Sequence, residues 1–139
     1  MWAAESSLIA ARFAQLAQTH GAQRAMTFRG DERHPGHTLA YDFAKFWRRV
    51  ERVTGHLHAT LGLQAGQRVA WLGLNHELQC VTLVACARLG LIFMPLNFRL
   101  AVAELSSVLQ DAQPSLLVYD SLHAETAQTL TQEAPVFLL

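Results

Sequence analysis

Short apolar runs alternate with helical segments along the second half of the chain, and this alternation constrains the fold more than any other feature. Four runs have the length and flanks of buried strands, and three segments between them carry apolar residues at helical spacing. In order, they lie at residues 69–72, 77–89, 91–94, 102–110, 115–119, 122–131 and 136–139. In the helix at 102–110, Leu105, Val108 and Leu109 are expected to face inward. Strands joined through helices form parallel sheets, because a parallel connection needs a long crossover. The sequence therefore predicts a three-layer α/β fold, in which helices flank a mostly parallel sheet.

The first 61 residues predict an addition to this fold. The apolar residues Ile9, Phe13 and Leu16 recur at helical spacing after Ser6 or Ser7, either of which can cap a helix. Turn residues then separate two short strands typical of a hairpin. A long amphipathic helix comes next, with its arginines mostly outside the apolar stripe. These elements are predicted at residues 8–17, 25–28, 38–41 and 42–61. We expect one α/β subdomain over 1–139, with the helix and hairpin at 1–41 and a βαβ-type core at 42–139.

Composition excludes several other classes of protein. Hydrophobic residues make up 51% of the chain and charged residues 16%, which provides enough apolar surface for a core and argues against disorder. The net charge is zero, so no basic field attracts nucleic acid. No apolar stretch is long enough to span a bilayer, and the N-terminus lacks the pattern of a signal peptide. We therefore expect no nucleic-acid partner and no transmembrane segment.

Two features bear on the location and the completeness of the chain. Cys80 and Cys86 lie on one predicted helix at a separation that does not allow a disulfide, and this favours the reducing cytoplasm. The last apolar run, at 136–139, has no polar residue after it. We therefore expect the chain to be a partial domain, with the remainder of a larger protein as its main partner.

Common catalytic and metal-binding motifs are absent from the sequence. It contains no GxxxxGK[ST] phosphate loop, no GxGxxG after a strand and no GxSxG nucleophile elbow. His34 and His37 flank a Pro-Gly turn, and His56 and His58 point to different faces of a helix, so none has the partners of a zinc site. His123 lies in an HxE pattern, but the PCxxC that a zinc deaminase needs does not follow. We predict no catalytic residue and no metal site in this chain.

A set of ordered motifs points to one family. Leu-Ala-Tyr precedes the long helix, Gly-Gln-Arg-Val-Ala begins a strand, and an asparagine lies in the turn that follows. Arg-Leu-Gly then precedes a strand that ends in Pro-Leu-Asn-Phe-Arg-Leu, and the next helix contains Glu-Leu. These motifs lie at residues 39–41, 66–70, 75, 88–90, 95–100 and 104–105. In order and spacing they resemble the N-terminal region of the class I adenylate-forming enzymes, the AMP-binding superfamily, and within it the acyl-CoA synthetases.

That resemblance implies that the chain is the N-terminal part of an ATP- and Mg-dependent acyl-CoA ligase. Such an enzyme converts a carboxylate to an acyl-adenylate, releases pyrophosphate, and then forms the acyl thioester of CoA. The Pro-Leu-Asn-Phe-Arg-Leu motif favours ligases of fatty or other carboxylic acids over peptide-synthetase modules. The family's lysine-containing phosphate loop, ribose-binding aspartate, hinge and catalytic lysine all follow the segment present here. We therefore expect ATP, Mg and CoA to serve the parent enzyme, and the isolated chain to bind no cofactor and to be inactive.

Arg99 is the one residue predicted to contact a ligand. It follows a parallel strand, on the side where open α/β sheets bind ligands, and a guanidinium group matches a phosphate well. By the resemblance, an arginine at this place lies near the phosphate-bearing nucleotide part of CoA. An ion pair between Arg99 and a neighbouring carboxylate is the alternative.

The other motif residues are expected to shape the fold. Gly66 allows the turn into a strand, Asn75 is expected to cap the helix that follows it, and Gly90 suits the left-handed position after a helix. Pro95 ends strand pairing, and Asn97 folds its side chain onto its own backbone. Phe43 stands where the family often has the glutamate of a capping box, so we expect the long helix to lack a cap worth about 1 kcal/mol.

Two other functions stay open at this point. The chain could be a stand-alone interaction or dimerisation module derived from such an enzyme, because its apolar edge could pair with a second copy. It could also be an unrelated small α/β protein that resembles the family by chance. Affinity for ATP, and the oligomeric state in solution, distinguish these possibilities.

Overall fold

The described residues form two compact units. The computed structural model describes residues 8–30, 38–133 and 137–138. The first unit lies within Met1–Gly62 and also contains His76–Leu89, whereas the second contains Leu63–Asn75 and the described part of Gly90–Leu139. The expected single subdomain stays a prediction. No helix in the described ranges is long and apolar enough to cross a membrane.

The first unit consists of three helices and a two-stranded hairpin. Its elements are α1 (Leu8–Thr19), β1 (Arg24–Arg29), β2 (Thr38–Asp42), α2 (Phe43–Gly55) and α3 (Glu77–Leu89). The two strands pair in antiparallel fashion, which confirms the predicted hairpin; its turn at 31–36 and the expected caps Ser6 and Ser7 lie outside the described residues. The α-helix predicted to reach residue 61 ends at Gly55, and a single π-helical turn, His56–Thr60, follows it.

Helix α1 packs against α2 through aromatic side chains. The ring centroid of Phe13 lies 4.9 Å from that of Phe46 and 6.4 Å from that of Phe43. Ala10 is buried, whereas Ile9, which was expected to face inward, is 51% exposed. Ile9 therefore lies outside the buried face of α1, whereas Phe13 of the same predicted stripe packs against α2.

Helices α2 and α3 begin differently from the expectation. Asp42 caps α2, since its Oδ1 accepts a hydrogen bond from the backbone N–H of Lys45 at 2.6 Å. The predicted loss of a cap is therefore wrong, because a neighbouring carboxylate supplies it. Before α3, Nδ1 of His76 accepts a hydrogen bond from the backbone N–H of Leu78 at 3.2 Å, so His76 holds the capping position that was assigned to Asn75.

The second unit is built on a parallel four-stranded sheet. Its elements are β3 (Arg68–Leu72), β4 (Ile92–Pro95), α4 (Val102–Ala112), β5 (Leu116–Tyr119), a 3-10 turn (Ser121–His123), α5 (Ala124–Glu133) and β6 (Phe137–Leu138). The strand order is β4-β3-β5-β6, and each neighbouring pair is parallel. The predicted α/β class, with a mostly parallel sheet, flanking helices and an added helix and hairpin, is confirmed.

Helices α4 and α5 pack with one face of this sheet to form a core. The core residues are Ala70, Leu72, Leu96, Leu105, Leu109, Leu117, Ala127 and Leu130. Ala70 and Leu72 share a face because side chains alternate along a strand. Of the α4 residues expected to face inward, Leu105 and Leu109 are buried, whereas Val108 is 38% exposed. Val108 lies at the border of the apolar stripe, so its burial was wrongly predicted.

The turns before β3 and β4, and the end of β4, have the predicted residue types. Gly66 and Gly90 have φ angles of +87° and +69°, the left-handed values that glycine adopts without strain. Pro95 still belongs to β4, and the backbone N–H of Leu96 donates to the carbonyl oxygen of Trp71 at 2.8 Å. Strand pairing therefore ends one residue later than predicted, because the donor lost at the proline is replaced by the next one.

Candidate functional site

Three loops follow the carboxyl ends of neighbouring strands in the second unit. In the order β4-β3-β5, the strand that comes first in the chain lies between its two successors, so the two following strands are added on opposite sides of β3. Open α/β sheets bind ligands outside the carboxyl ends of the strands at such a point. The three loops begin at Gly73, Leu96 and Asp120. Their side chains are therefore the candidates for a site.

Asp120 joins the end of β5 to the end of β3. Its Oδ2 accepts a hydrogen bond from the backbone N–H of Leu74 at 2.8 Å, and its Oδ1 accepts from the backbone N–H groups of Leu122 and His123 at 3.0 and 3.1 Å. A Cβ atom at Gly73 would lie 2.8 Å from Oδ2, closer than carbon and oxygen can pack. We call this arrangement of Gly73, Leu74 and Asp120 the clasp.

Asp120 is ionised at neutral pH. Burial raises the pKa of its carboxyl group, but hydrogen bonds from Leu74 and His123, together with the charge of His123, outweigh burial and hold the pKa below its ordinary value. Nδ1 of His123 lies 2.6 Å from Oδ1. Because an ionised carboxylate only accepts hydrogen bonds, the shared proton belongs to the imidazole. His123 therefore carries a proton on Nδ1.

An aromatic contact connects the loop after β4 with the loop after β5. The ring centroid of Phe98 lies 5.6 Å from that of His123, and the guanidinium carbon of Arg99 lies 5.5 Å from the centroid of Phe98. Oδ1 of Asn97 accepts a hydrogen bond from the backbone N–H of Arg99 at 3.1 Å, which confirms the predicted loop shape. A cation, an aromatic ring and an imidazole thus lie together at this edge of the sheet.

Arg99 lies where the sequence placed it, in the loop after β4, with an exposed side chain. Within residues 8–30, 38–133 and 137–138, the recorded ion pairs do not include Arg99. The alternative of an internal ion pair is therefore not seen in the described part of the chain. An exposed guanidinium is available to an anion from outside.

Sequence reasoning missed the other residues at this edge of the sheet. Asp120 directly follows an apolar strand run, which is a usable signal, but its bond to Leu74 spans 46 positions and no local pattern predicts it. His123 was weighed only within an HxE pattern, and Glu125 of that pattern is exposed in the first turn of α5. Phe98 gave no signal beyond its place in the motif.

Comparison with known proteins decides the family. The family model described as AMP-binding enzyme matches residues 13–137. This chain belongs to the AMP-binding enzyme family. The resemblance noted in the sequence is thereby confirmed.

Relatives within this AMP-binding family are acid–thiol ligases by name. The chain is 46% identical over 98 residues to the feruloyl-CoA synthase of Amycolatopsis, a match that covers 70% of this chain and 19% of that protein. It is 45% identical over 85 residues to the indoleacetate–CoA ligase of Aromatoleum aromaticum, covering 61% and 16%. The chain therefore spans about a fifth of the length of the curated relatives that it matches.

Solved structures share the fold of this AMP-binding chain. A fatty acyl CoA synthetase of Mycobacterium tuberculosis superposes with a TM-score of 0.81 at 21% identity, over 96% of this chain and 26% of that one. The N-terminal domain of FACL13 from the same organism gives a TM-score of 0.80 at 22% identity, over 95% and 33%. These likenesses support the α/β assignment and identify the fold as that of an N-terminal ligase region.

The sequence contains a single lysine, Lys45. Its Nζ lies 4.0 Å from Oδ2 of Asp42 at the start of α2, in the first unit. The resemblance implies two lysines in the family, one in the phosphate loop and one catalytic. Lys45, at the start of α2, corresponds to neither of them. In addition, the described residues bring no three His, Cys, Asp or Glu side chains together as a metal-binding group.

Proposed function

We propose that this chain forms the N-terminal part of an ATP-dependent acyl-CoA ligase of the cytoplasm. The parent enzyme converts a carboxylate and ATP to an acyl-adenylate and pyrophosphate, and then transfers the acyl group to the thiol of CoA. The observation that carries the proposal is the family match over residues 13–137, supported by the identity to feruloyl-CoA synthase. ATP, Mg and CoA are the cofactors and co-substrates of the parent, and the remainder of its chain is the partner.

Within this enzyme the present residues act mainly as a scaffold. In the clasp, the carboxylate of Asp120 accepts hydrogen bonds from backbone N–H groups of the protein itself. This carboxylate is therefore not available to a substrate. Arg99 is the exception, because its exposed guanidinium follows a strand end. We assign it a contact to a phosphate group of CoA, for which a planar fork of donors is well suited.

The isolated chain is expected to be inactive. The resemblance implies that adenylate formation uses a lysine in the phosphate loop and a catalytic lysine, and the only lysine of this chain, Lys45, lies beside Asp42 at the start of α2. Titration calorimetry with ATP and Mg should therefore show no binding, and a pyrophosphate-release assay should show no turnover. Clear ATP affinity of the 139-residue chain contradicts this part of the proposal.

A chimera tests the function of the parent. Residues 13–137 replace the matching segment of the Amycolatopsis feruloyl-CoA synthase, and the product is assayed with ferulate, ATP and CoA. An aromatic carboxylate is the first substrate to test because the two relatives at 45–46% identity are named for such acids. We expect feruloyl-CoA, while the same enzyme with the segment deleted forms none. A folded chimera that makes neither adenylate nor thioester overturns the proposal.

Arg99 is tested in the same chimera. Arg99→Gln should raise KM for CoA by about tenfold, which corresponds to the loss of one charge-assisted contact. KM for ATP and for ferulate should stay unchanged. Arg24→Gln is a matched control, since Arg24 is exposed on β1 of the first unit. An unchanged KM for CoA in the Arg99 variant removes the assigned contact.

Self-association is a second candidate function. Strand β4 lies at one edge of the four-stranded sheet, and its first residue, Ile92, is 46% exposed. Exposed apolar edge strands pair readily with other chains. Gel filtration with light scattering should then show a dimer that dissociates on dilution, and Ile92→Lys should shift it to monomer. A monomer at high concentration rules out this function for the chain.

A further inference from the structure

We propose that the exposed face of α2 binds the exposed face of α4 in a second copy of this chain. The α2 face carries Lys45, Arg48 and Arg52, which we call the basic stripe. The α4 face carries Glu104 and Asp111, which we call the acidic stripe. This contact goes beyond the proposed ligase function and does not involve strand pairing at the edge of the sheet.

The net charge of zero results from opposite charges on the two units. The described residues of the first unit include eight lysine and arginine residues against three aspartate and glutamate residues. In the second unit these numbers are two and five. Complementary charge favours encounter and binding between surfaces. A second copy of the chain therefore offers each unit a partner of opposite charge.

The basic stripe is not neutralised within the part of the chain that the structure describes. Arg48 and Arg52 are exposed, and neither belongs to an ion pair recorded among the described residues. They lie four positions apart on one helix, where two like charges repel each other and weaken the helix. Nζ of Lys45 lies 4.0 Å from Oδ2 of Asp42, and the lysine side chain is 59% exposed. An acidic surface from another molecule would relieve this repulsion.

The two stripes have matching lengths. Lys45 and Arg52 are seven positions apart on α2, and Glu104 and Asp111 are seven positions apart on α4. Residues at this separation lie on one face of an α-helix, about 10.5 Å apart along its axis. Both ends of the basic stripe can therefore meet both ends of the acidic stripe at once. This holds whether the two helices run in the same direction or in opposite directions.

The acidic stripe is open to such a partner. Asp111 is exposed. Oε2 of Glu104 accepts a hydrogen bond from the backbone N–H of Ala101 at 2.8 Å, which leaves its other oxygen for a cation. Val108, between the two carboxylates, is 38% exposed. The aliphatic part of an arginine side chain can cover apolar surface while its guanidinium group contacts a carboxylate, so Arg48 suits the middle of this face.

Sedimentation equilibrium of the 139-residue chain tests the contact in 20 mM and in 300 mM NaCl. We expect reversible self-association in 20 mM NaCl and an apparent Kd about tenfold higher in 300 mM NaCl, because salt screens exposed charge pairs. Strand pairing through β4 depends much less on salt, since it uses backbone hydrogen bonds and apolar contacts. The Ile92→Lys variant should therefore retain the salt-dependent association.

Charge reversal identifies the two surfaces. One variant combines Arg48→Glu with Arg52→Glu, and a second combines Ser107→Arg with Asp111→Arg; all four residues are exposed on helices. Each variant alone should be monomeric in 20 mM NaCl, because its two stripes have the same sign. An equimolar mixture should associate again, since the first variant keeps the native acidic stripe and the second keeps the native basic stripe.

A matched control changes the charge of the first unit equally but leaves the basic stripe intact. It combines Arg12→Glu with Arg29→Glu, two exposed positions on α1 and β1. This variant should still associate in 20 mM NaCl, and circular dichroism should show that all variants are folded. Loss of association in the control, equal to that of the α2 variant, would show that overall charge and not the basic stripe is responsible, and would overturn the contact.

Two further results overturn the proposed contact without involving the ligase function, which the chimera tests separately. One is an unchanged chain that is monomeric in 20 mM NaCl, or a mixture of folded charge-reversal variants that stays monomeric. The other is association that persists in 300 mM NaCl and is abolished by Ile92→Lys, which assigns it to strand pairing. If the chain stays monomeric but binds vesicles of phosphatidylcholine and phosphatidylglycerol, or poly-glutamate, the basic stripe serves a different anionic partner.

Discussion

The hydroxyl of Tyr41 lies 3.5 Å from Oε1 of Glu77, a carboxylate whose side chain is only 5% exposed. Arg49 donates to the same hydroxyl at 3.0 Å and lies 3.7 Å from Oε1. Nδ1 of His76 lies 2.8 Å from Oε2, and Oε2 has no hydrogen-bond partner among the described residues. A buried carboxylate thus links β2, α2 and the start of α3 in the first unit.

Glu77→Ala should destabilise the chain by about 2 kcal/mol, because it leaves Arg49 and the Tyr41 hydroxyl without their buried acceptor. Arg49 is partly exposed and can recover water, which keeps the loss below that of a fully buried pair. Urea unfolding measures the change. Asp111→Ala removes an exposed carboxylate near the end of α4 and should change stability by less than about 0.5 kcal/mol. Equal effects of the two substitutions contradict the role of Glu77.

Two glycine substitutions should act in opposite directions. Gly73→Ala places a methyl group 2.8 Å from Oδ2 of Asp120, which opens the clasp and should cost about 1–3 kcal/mol. Gly55→Ala adds a methyl group in a helical position with no atom within 4 Å, and should stabilise by about 0.5–1 kcal/mol. Thermal unfolding of both variants shows the signs. A stabilising Gly73→Ala is incompatible with the observed clasp.

The contribution of Asp120 should depend on pH. Its pKa is lower in the folded chain than the ordinary value, so the ionised form is favoured by folding. The stabilisation is fully present above the unfolded pKa of about 4 and is lost as the pH falls through the folded pKa. The Asp120→Asn variant should therefore be much less stable than the unsubstituted chain at pH 7, and this difference in stability should shrink below pH 4. A difference that stays constant from pH 7 to pH 3 would show that ionisation plays no part.

The two cysteines should react at very different rates. Both lie on α3, but Cys80 is exposed and Cys86 is buried, and burial raises the pKa of the Cys86 thiol to about 12. Since the thiolate is the reactive form, Ellman's reagent at pH 8 should modify one thiol per chain rapidly and the second only on unfolding. Cys80→Ser should remove the fast reaction, and Cys86→Ser should keep it. If two thiols of the unsubstituted chain react rapidly, Cys86 lies at the surface.

Asp42→Ala should cost about 1 kcal/mol, because it removes the acceptor for the backbone N–H of Lys45 at the start of α2. Asp42→Ser should retain most of the stability, since a hydroxyl also caps a helix. Urea unfolding of the two variants distinguishes a capping role from a general effect of charge. If Ser and Ala are equally destabilising, the ion pair with Lys45 rather than the cap is what matters.

Local patterns in the sequence were enough to predict the strands and their parallel pairing. The run that became β3 and the buried helix α3 are separated by turn residues, and Gly90 takes the left-handed φ that its position required. Helix faces were less well predicted, as Ile9 and Val108 show, because residues at the border of an apolar stripe are buried or exposed according to their neighbours. The cap at Asp42 was not predicted, because the capping motif of the family places the capping residue earlier in the sequence.

The candidate site was predicted only in part, and for a different reason. Arg99 could be found because its motif is local. Its surroundings arise from contacts between segments distant in sequence, such as Phe98 with His123, and a single sequence contains no record of such pairs. Charge and burial at the site, which decide the tautomer of His123, follow only from these contacts.

The hydrogen bond between Asp120 and Leu74 has a consequence for how this chain reaches its native state. The two residues are 46 positions apart, so the bond cannot form until β5 lies beside β3. A slip of β5 by one residue would leave a carboxylate and a backbone N–H facing apolar neighbours. The bond thus favours the native alignment of β5 beside β3 over one that is shifted by a residue.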